Sequence, residues 1–410
     1  MPVLVLHYHE MWLKGRNRNF FLHKFTESIR SHLDGLGPLR IVHEDGRVLL
    51  HLESEEALRG AARRIPRIFG VAHYSVAEEV ERDLAQVEQA AWKQLAAQSF
   101  DTFAIRVRRS DKTLPFRSQE AEKRIGRYVL DAAQAAGRRI RVDLDHPEAT
   151  CFAEFTGHRA LVFSEKMPGP GGMAANTAGK LVCLLSGGYD SAVAAYLMMK
   201  RGARVIFVHF HGVAARVGEA SEPVAREIVR TLAPYQLGAR LYLIPFHELQ
   251  REALLQAPEE YRILIYRRLM LRIAERIAHR RHALGLVVGD SLAQVASQTL
   301  QNMAAVEAAI RLPVYRPLVG FDKREILDLA RRIGTYETSS ERFADCCPAF
   351  LPRSPRLYAS GDELDRAESK LDIPSMVARG VAGARRETYR FANGRVMEQS
   401  DAPIRAGMAL

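Results

Sequence analysis

The chain has 410 residues, of which 47% are hydrophobic and 26% charged, an ordinary balance for soluble globular protein with room for roughly two to four domains. It holds no apolar run of about 18 residues, which excludes a membrane-spanning helix, and the start MPVLVLHYHEMWLKGRNRNF lacks the pattern of a secretory signal. Its four cysteines, two of them adjacent, form no disulfide framework, so a reducing cytosol is expected and a reactive cysteine would be catalytic or redox-active. The net charge of +11 points to a polyanionic partner, because each phosphate neutralised releases counterions.

Taken in chain order, residues 2–7 (PVLVLH) and 47–52 (RVLLHL) read as strands. Between them Phe21, Phe25, Ile29 and Leu33 recur at helical spacing until Gly35 and Gly37 stop the helix. This small α+β unit spans residues 1–54. Residues 55–166 form a second α+β unit, with strands at 102–107, 139–144, 151–155 and 159–163 and helices at 84–99 and 117–136. Basic residues concentrate in both. The first unit has Lys14, Arg16, Arg18, Lys24 and Arg30; the second has Arg106, Arg108, Arg109, Lys112, Arg117, Lys123, Arg124 and Arg127 beside Phe116 and Tyr128. The competing reading of these groups is an Arg-rich solvated surface.

Residues 167–179 (MPGPGGMAANTAG) carry no periodic signal and read as a linker. From residue 180 apolar strands (KLVCLL, ARVIFVHF, ARLYLIPF, ALGLVVGD) alternate with helices, which means a parallel sheet covered on both faces. Such sheets bind ligands at the carboxyl ends of their strands. Residues 356–410 are partly helical, contain no cysteine and have no assigned role.

The first of these strands closes at Leu184 and Leu185 and runs through Ser186-Gly187-Gly188-Tyr189-Asp190-Ser191 into a helix. Glycines let backbone amides face one concavity, the helix end adds partial positive charge and the hydroxyls donate further bonds, so this turn suits a pyrophosphate. Asp190 would repel that anion unless a cation lay between them, which suggests Mg²⁺. The plainer alternative is that Asp190 or Ser191 caps the helix and the glycines merely turn the chain. The sequence is not Gly-x-x-x-x-Gly-Lys-Ser/Thr, so a kinase or GTPase is unsupported.

SGGYDS after an apolar strand resembles the PP-loop of the ATP pyrophosphatases. The later segments VIFVHFH, YRRLMLRIAERIA, VVGDSLAQVASQTLQNM, PVYRPLVGFDKREI, IGTYETSS and DCCPAF narrow the resemblance to tRNA 4-thiouridine synthetases of the ThiI type. LKGRNR resembles that family's N-terminal signature, and the resemblance covers residues 1 to about 355. It implies an N-terminal ferredoxin-like domain (1–54), a THUMP RNA-binding domain (55–166), the linker, a parallel-sheet PP-loop domain (180–355) and a tail. It also implies an ATP site at Leu184, Leu185, Ser186, Gly187, Gly188, Ser191, His209, Phe210, Arg267, Gly289 and Gln298. His209 and Phe210 would meet the nucleotide through their backbone, and without the family match His209 would read as a satisfied core histidine. Arg267 carries no core duty beside the stripe Tyr266, Met270, Ile273 and Ile277, so it is free to reach a phosphate or base, and most other arginines of its helix are solvated or face RNA. Gly289 leaves room for a bound ring, and Gln298 offers a neutral amide.

The catalytic cysteine implied is Cys347, placed by the Pro352-Arg353-Ser354-Pro355 segment that follows, with Cys346 able to close a vicinal disulfide on the spent intermediate. A thiolate is needed, and Arg342 and Arg353 are the cations nearest in sequence. Zinc at this pair lacks further ligands, because Cys151 and Cys183 sit in strands as core residues. The implied activity is ATP- and Mg²⁺-dependent adenylation of a tRNA uridine (expected at position 8), with Asp190 bridging through the metal, then persulfide attack to give 4-thiouridine. A cysteine desulfurase or separate rhodanese would supply the sulfur, no rhodanese domain being expected in the chain itself, and a homodimer is expected. Two alternatives stay open: sulfur transfer to an adenylated carrier protein for the thiamine thiazole, and a tRNA-binding protein with an inactive ATP site. Departures from the family pattern are Tyr189 for Ile, Ala192 for Pro, Asp290 for Glu, Ala293 for Gly and MAANT in the linker; Ala293 matters only if its φ is positive.

Overall fold

The computed structural model describes residues 2–8, 10–212, 221–340 and 354–400. Contacts divide the chain into two units, Met1–Met173 and Ala174–Leu410.

The first unit begins with β1 (Pro2–His7), α1 (Arg18–Leu33), β2 (Leu39–Glu44), β3 (Arg47–Leu52), α2 (Glu55–Arg64) and β4 (His73–Val80). It continues with α3 (Leu84–Ala96), β5 (Thr102–Arg109), α4 (Ser118–Ala135), β6 (Arg141–Val142), β7 (Ala149–Phe155), β8 (Ala160–Phe163) and β9 (Met167–Pro168). These strands make one nine-stranded sheet in the order β2-β3-β1-β4-β8-β7-β5-β6, with β9 beside β4. Apolar alternation puts Val3, Val5, Leu49, Ala77, Leu161 and Phe163 into one core cluster. Another forms where α3 and α4 cover Phe103, Ile105, Cys151 and Ala153.

A buried ion triad ties the sheet together. Arg47 Nε donates to Glu154 Oε2 at 2.5 Å and His7 Nε2 lies 3.1 Å from the same oxygen, joining β1, β3 and β7. Burial alone would push the Glu154 carboxyl up, but His7 and Arg47 outweigh it and hold the group down at about 2. The expected division after residue 54 falls on Ser54, which is the N-cap of α2 and accepts from the Ala57 amide. The chain then returns as β4, which pairs along the whole of β1. The Gly/Pro-rich stretch is anchored as well. Within the first unit Gly171 exchanges backbone bonds with Gly70 and Val71, and within the second Thr177 donates to the Gly202 carbonyl at 2.8 Å.

The second unit starts with β10 (Lys180–Leu184), α5 (Tyr189–Lys200), β11 (Arg204–His211), α6 (Ser221–Leu232), β12 (Gly238–Pro245), α7 (His247–Gln256) and α8 (Arg262–Arg280). There follow β13 (Leu286–Val287), α9 (Leu300–Glu307), β14 (Val314–Tyr315), α10 (Lys323–Ile333), α11 (Tyr336–Ser340), α12 (Gly361–Ala367), α13 (Ile373–Ala382), β15 (Arg385–Ala392) and β16 (Arg395–Ser400). The sheet order is β14-β13-β10-β11-β12-β15-β16. The first five strands are parallel and the last two antiparallel. Succession runs outward from β10 through β11 and β12, then reverses to β13, so a crevice opens between the carboxyl ends of β10 and β13.

The segment expected as a tail is part of this unit. β15 pairs with β12, and α13 contributes Met376, Val377 and Val381 to the core that surrounds α8. Among the described residues no helix is long and apolar enough to cross a membrane.

Candidate active site

The crevice is built from the ends of three strands. After β10, Gly187 adopts φ +90° and Gly188 caps α5, conformations that turn the chain sharply and aim the first amides of α5 outward. The turn is braced from within: Ser191 Oγ lies 3.1 Å from the Ser186 amide and 3.1 Å from the Gly188 carbonyl, and Ser186 Oγ accepts from the Gly188 amide at 3.3 Å. Ser191 is buried while Ser186 is exposed, so Ser191 holds the loop and Ser186 faces the crevice.

Asp190 is neutralised by a residue distant in sequence. Lys323, the first residue of α10, places Nζ 2.9 and 3.2 Å from its two carboxylate oxygens. The anion beside the phosphate loop thus meets a protein cation, where the sequence had suggested a metal alone.

Beyond β13, Asp290 is the hub of a second cluster. Arg267 Nη2 donates to both of its oxygens at 2.5 and 2.6 Å while Arg267 Nη1 donates to Ser297 Oγ at 3.0 Å. Gln298 Nε2 donates to the same carboxylate at 3.3 Å, and Arg316 Nε lies 3.4 Å from it. Arg316 also pairs with Glu307, so two guanidinium groups and two carboxylates form a charge-balanced cluster whose fork-shaped donors suit an anion once it displaces a carboxylate. Among the described residues Gln298 Oε1 is buried with no partner, an acceptor available to a ligand amine.

His209 is fully buried. Its Nδ1 lies 2.7 Å from the Leu185 carbonyl and its Nε2 2.8 Å from Ser221 Oγ. Burial pushes the imidazole down to about 4, so it is neutral at physiological pH and serves to lock β11 to the phosphate-loop strand. Phe210 packs on Phe246 in the core at a centroid distance of 5.3 Å. Both side chains are taken up by the protein itself, and both residues pair with β12.

The family described as Thiamine biosynthesis protein (ThiI) matches residues 176–373, with the ThiI ferredoxin-like domain at 3–75 and the THUMP domain at 77–165. A probable tRNA sulfurtransferase of Thermus thermophilus is 40% identical over 97% of both chains. One from Moorella thermoacetica is 37% identical over 92% of this chain and 94% of that one. This chain belongs to the tRNA sulfurtransferase family. A solved 4-thiouridine synthetase–RNA complex with bound ATP superposes with a TM-score of 0.83 at 29% identity, covering 95% of this chain and 99% of that one. A Pyrococcus horikoshii protein shares the fold at a TM-score of 0.60 and 22% identity.

Within this sulfurtransferase several site expectations change. Arg267 is not free: it is held by Asp290, because a guanidinium beside a buried carboxylate cannot stay unpaired. The α8 arginines are not all solvated. Arg268 is buried and pairs with Asp365 and Glu368, and Arg272 pairs with Glu368, all supplied by the C-terminal segment. Gly289 is required by the protein itself, since a Cβ there would lie 2.6 Å from the Ser191 amide nitrogen at the start of α5. Ala293 does adopt φ +61°, a conformation that costs a residue with a Cβ about 1 kcal/mol and that glycine adopts freely.

Cys183 and Cys151 are core residues, and burial pushes each thiol up to about 12. Cys346, Cys347, Arg342 and Arg353 lie outside the described residues. The sequence reading assigned no role to Lys323 or Arg316 and noted Asp290 only as a departure. A signal for Lys323 was present: Asp322 and Glu325 form a capping box that starts a helix at residue 323, and a cation there opposes the helix dipole unless an anion is near.

The RNA-facing expectation concerns the first unit. Around α4 and β5 a cavity of about 660 Å³ is lined by Arg106, Lys123, Arg127, Gln119 and the half-exposed apolar Val142 and Leu144. Among the described residues Arg108, Lys112, Arg117 and Lys123 are exposed without an ion pair, whereas Arg124 is matched by Glu88 and Arg127 by Asp131. Of these four Lys123 lines the cleft, and a cation beside apolar surface suits a phosphate with an unpaired base.

Proposed function

We propose that this sulfurtransferase uses ATP to adenylate a uridine of tRNA and then replaces the activated oxygen with sulfur, giving 4-thiouridine. The observation that carries it is the braced Ser186–Ser191 loop facing the Asp290-centred guanidinium cluster across the β10–β13 crevice. Loop amides and the α5 N-terminus hold the pyrophosphate portion of ATP, and Arg267 and Arg316 balance charge that builds up as it leaves. Asp190 would hold Mg²⁺ by exchanging a contact to Lys323 for the metal, which would supply charge neutralisation on the phosphates. The uridine O4 attacks the α-phosphorus, and pyrophosphate departs. The outer sulfur of a persulfide on Cys347 then attacks C4 and AMP departs; the Cys346 thiolate attacks Cys347 Sγ, breaking the S–S bond, which closes the Cys346–Cys347 disulfide and leaves the sulfur on C4 as 4-thiouridine.

Carried over from the resemblance are a cytosolic setting, a cysteine desulfurase or rhodanese as sulfur source, and a homodimer. The basic first unit holds the tRNA. In a pyrophosphate-release assay with ATP and unmodified tRNA, Asp190→Ala is expected to lower the rate by about 10²-fold or more while tRNA affinity stays within a few fold. Normal release by that variant rejects the role given to Asp190, and release that does not depend on tRNA rejects the substrate.

A further inference from the structure

We propose that Tyr189 is a positioning residue that fastens the phosphate loop to α11 and thereby aligns sulfur delivery with adenylation. The inference rests on the thiolation reading above. Tyr189 is the first residue of α5, and its hydroxyl lies 2.9 Å from Ser340 Oγ at the end of α11. Ser340 Oγ also donates to the Tyr336 carbonyl at 2.8 Å. A serine hydroxyl has one proton, so Tyr189 is the donor in the Tyr189–Ser340 bond.

The tyrosine ring is engaged too. It packs on Tyr336 at a centroid distance of 5.4 Å, and the Lys323 ammonium that pairs with Asp190 lies 5.3 Å from its centre. Tyr336 in turn carries the Arg331 guanidinium over its ring at 4.5 Å. One side chain therefore touches the first turns of α5 and α10 and both ends of α11. The Ile usual at this position in the family can form neither the hydrogen bond nor the aromatic and cation contacts.

What this fastening serves follows from the order of the chain. Cys346 and Cys347 come within seven residues of Ser340 in sequence. Seven residues reach at most about 25 Å, so anchoring Ser340 to the phosphate loop fixes the origin of that reach beside the adenylation site.

The test compares full-length wild type with Tyr189→Phe, Ser340→Ala and the double variant. The first readout is 4-thiouridine formed per pyrophosphate released. Each single variant is expected to lower this ratio about fivefold, the scale of one lost hydrogen bond, and the double variant no further, because both remove the same contact. The second readout does not need turnover: the rate at which iodoacetamide labels Cys346 and Cys347, read by mass spectrometry with and without a non-hydrolysable ATP analogue. Cys151 and Cys183 are fully buried and do not interfere. Wild-type labelling is expected to change with nucleotide, and both single variants to lose that change. Ratios and labelling responses equal to wild type, an absent response included, overturn the proposal, as does a double variant that falls by the product of the singles. Failure of the thiolation reading looks different: wild type then makes no 4-thiouridine, while the labelling comparison still reports on Tyr189.

Discussion

Asp190 and Lys323 lie 133 positions apart and meet only because β10 and β14 end on the same rim of a parallel sheet. A spacing of that kind cannot be seen in a motif, which is why the phosphate loop was legible in the sequence and its counter-cation was not. At His209 the sequence offers a satisfied core histidine only as the alternative to a nucleotide contact, and its burial and bond to Leu185 make a pH statement possible. Its folded-state value of about 4 lies below the usual 6.5, so between those values the unfolded chain binds the extra proton. Stability from this group is complete above pH 6.5 and is lost as pH falls towards 4, by up to roughly 3 kcal/mol. Thermal unfolding followed from pH 7 to pH 4 should show this fall, and His209→Asn should flatten it by about one proton. An unchanged slope in that variant would place the titration elsewhere.

At the level of elements, the apolar runs KLVCLL, ARVIFVHF and ARLYLIPF became β10, β11 and β12 because strands buried on both faces need little but hydrophobic residues. The C-terminal elements were hidden by polarity. β15 buries Glu387, which bonds Tyr389 on its own strand and Arg226 on α6, so its inward face does not read as apolar. The same applies to α12, whose Asp365 lies beside Glu368 at its C-cap, the two matching Arg268 and Arg272 of α8. Removing one member of a buried pair leaves a charge uncompensated. Glu368→Ala is therefore expected to cost about 3 kcal/mol in denaturant unfolding, because buried Arg268 keeps only the exposed Asp365 and Arg272 loses the carboxylate it pairs with. A loss below about 0.5 kcal/mol, the range of an ordinary surface substitution, would show that the C-terminal segment is not integral to the second unit.

Across the whole chain the charge excess resolves into distinct duties. Inside the second unit Arg226, Arg267, Arg268, Arg272 and Arg316 pair with carboxylates and so add nothing to the excess. The unmatched cations of the first unit are the part available to RNA. Residues 1–173 alone should thus bind tRNA, with affinity falling by about 10³-fold between 50 and 200 mM salt if roughly six phosphates are contacted. A flat salt response would move the RNA site away from this unit. The central claim is tested most directly by nucleoside mass spectrometry of unmodified tRNA incubated with the full chain, ATP, Mg²⁺, cysteine and a cysteine desulfurase. Wild type is expected to produce 4-thiouridine only when ATP is present, and Cys347→Ser to produce none while still releasing pyrophosphate. Absence of 4-thiouridine with the wild-type chain, or its formation without ATP, would contradict the account.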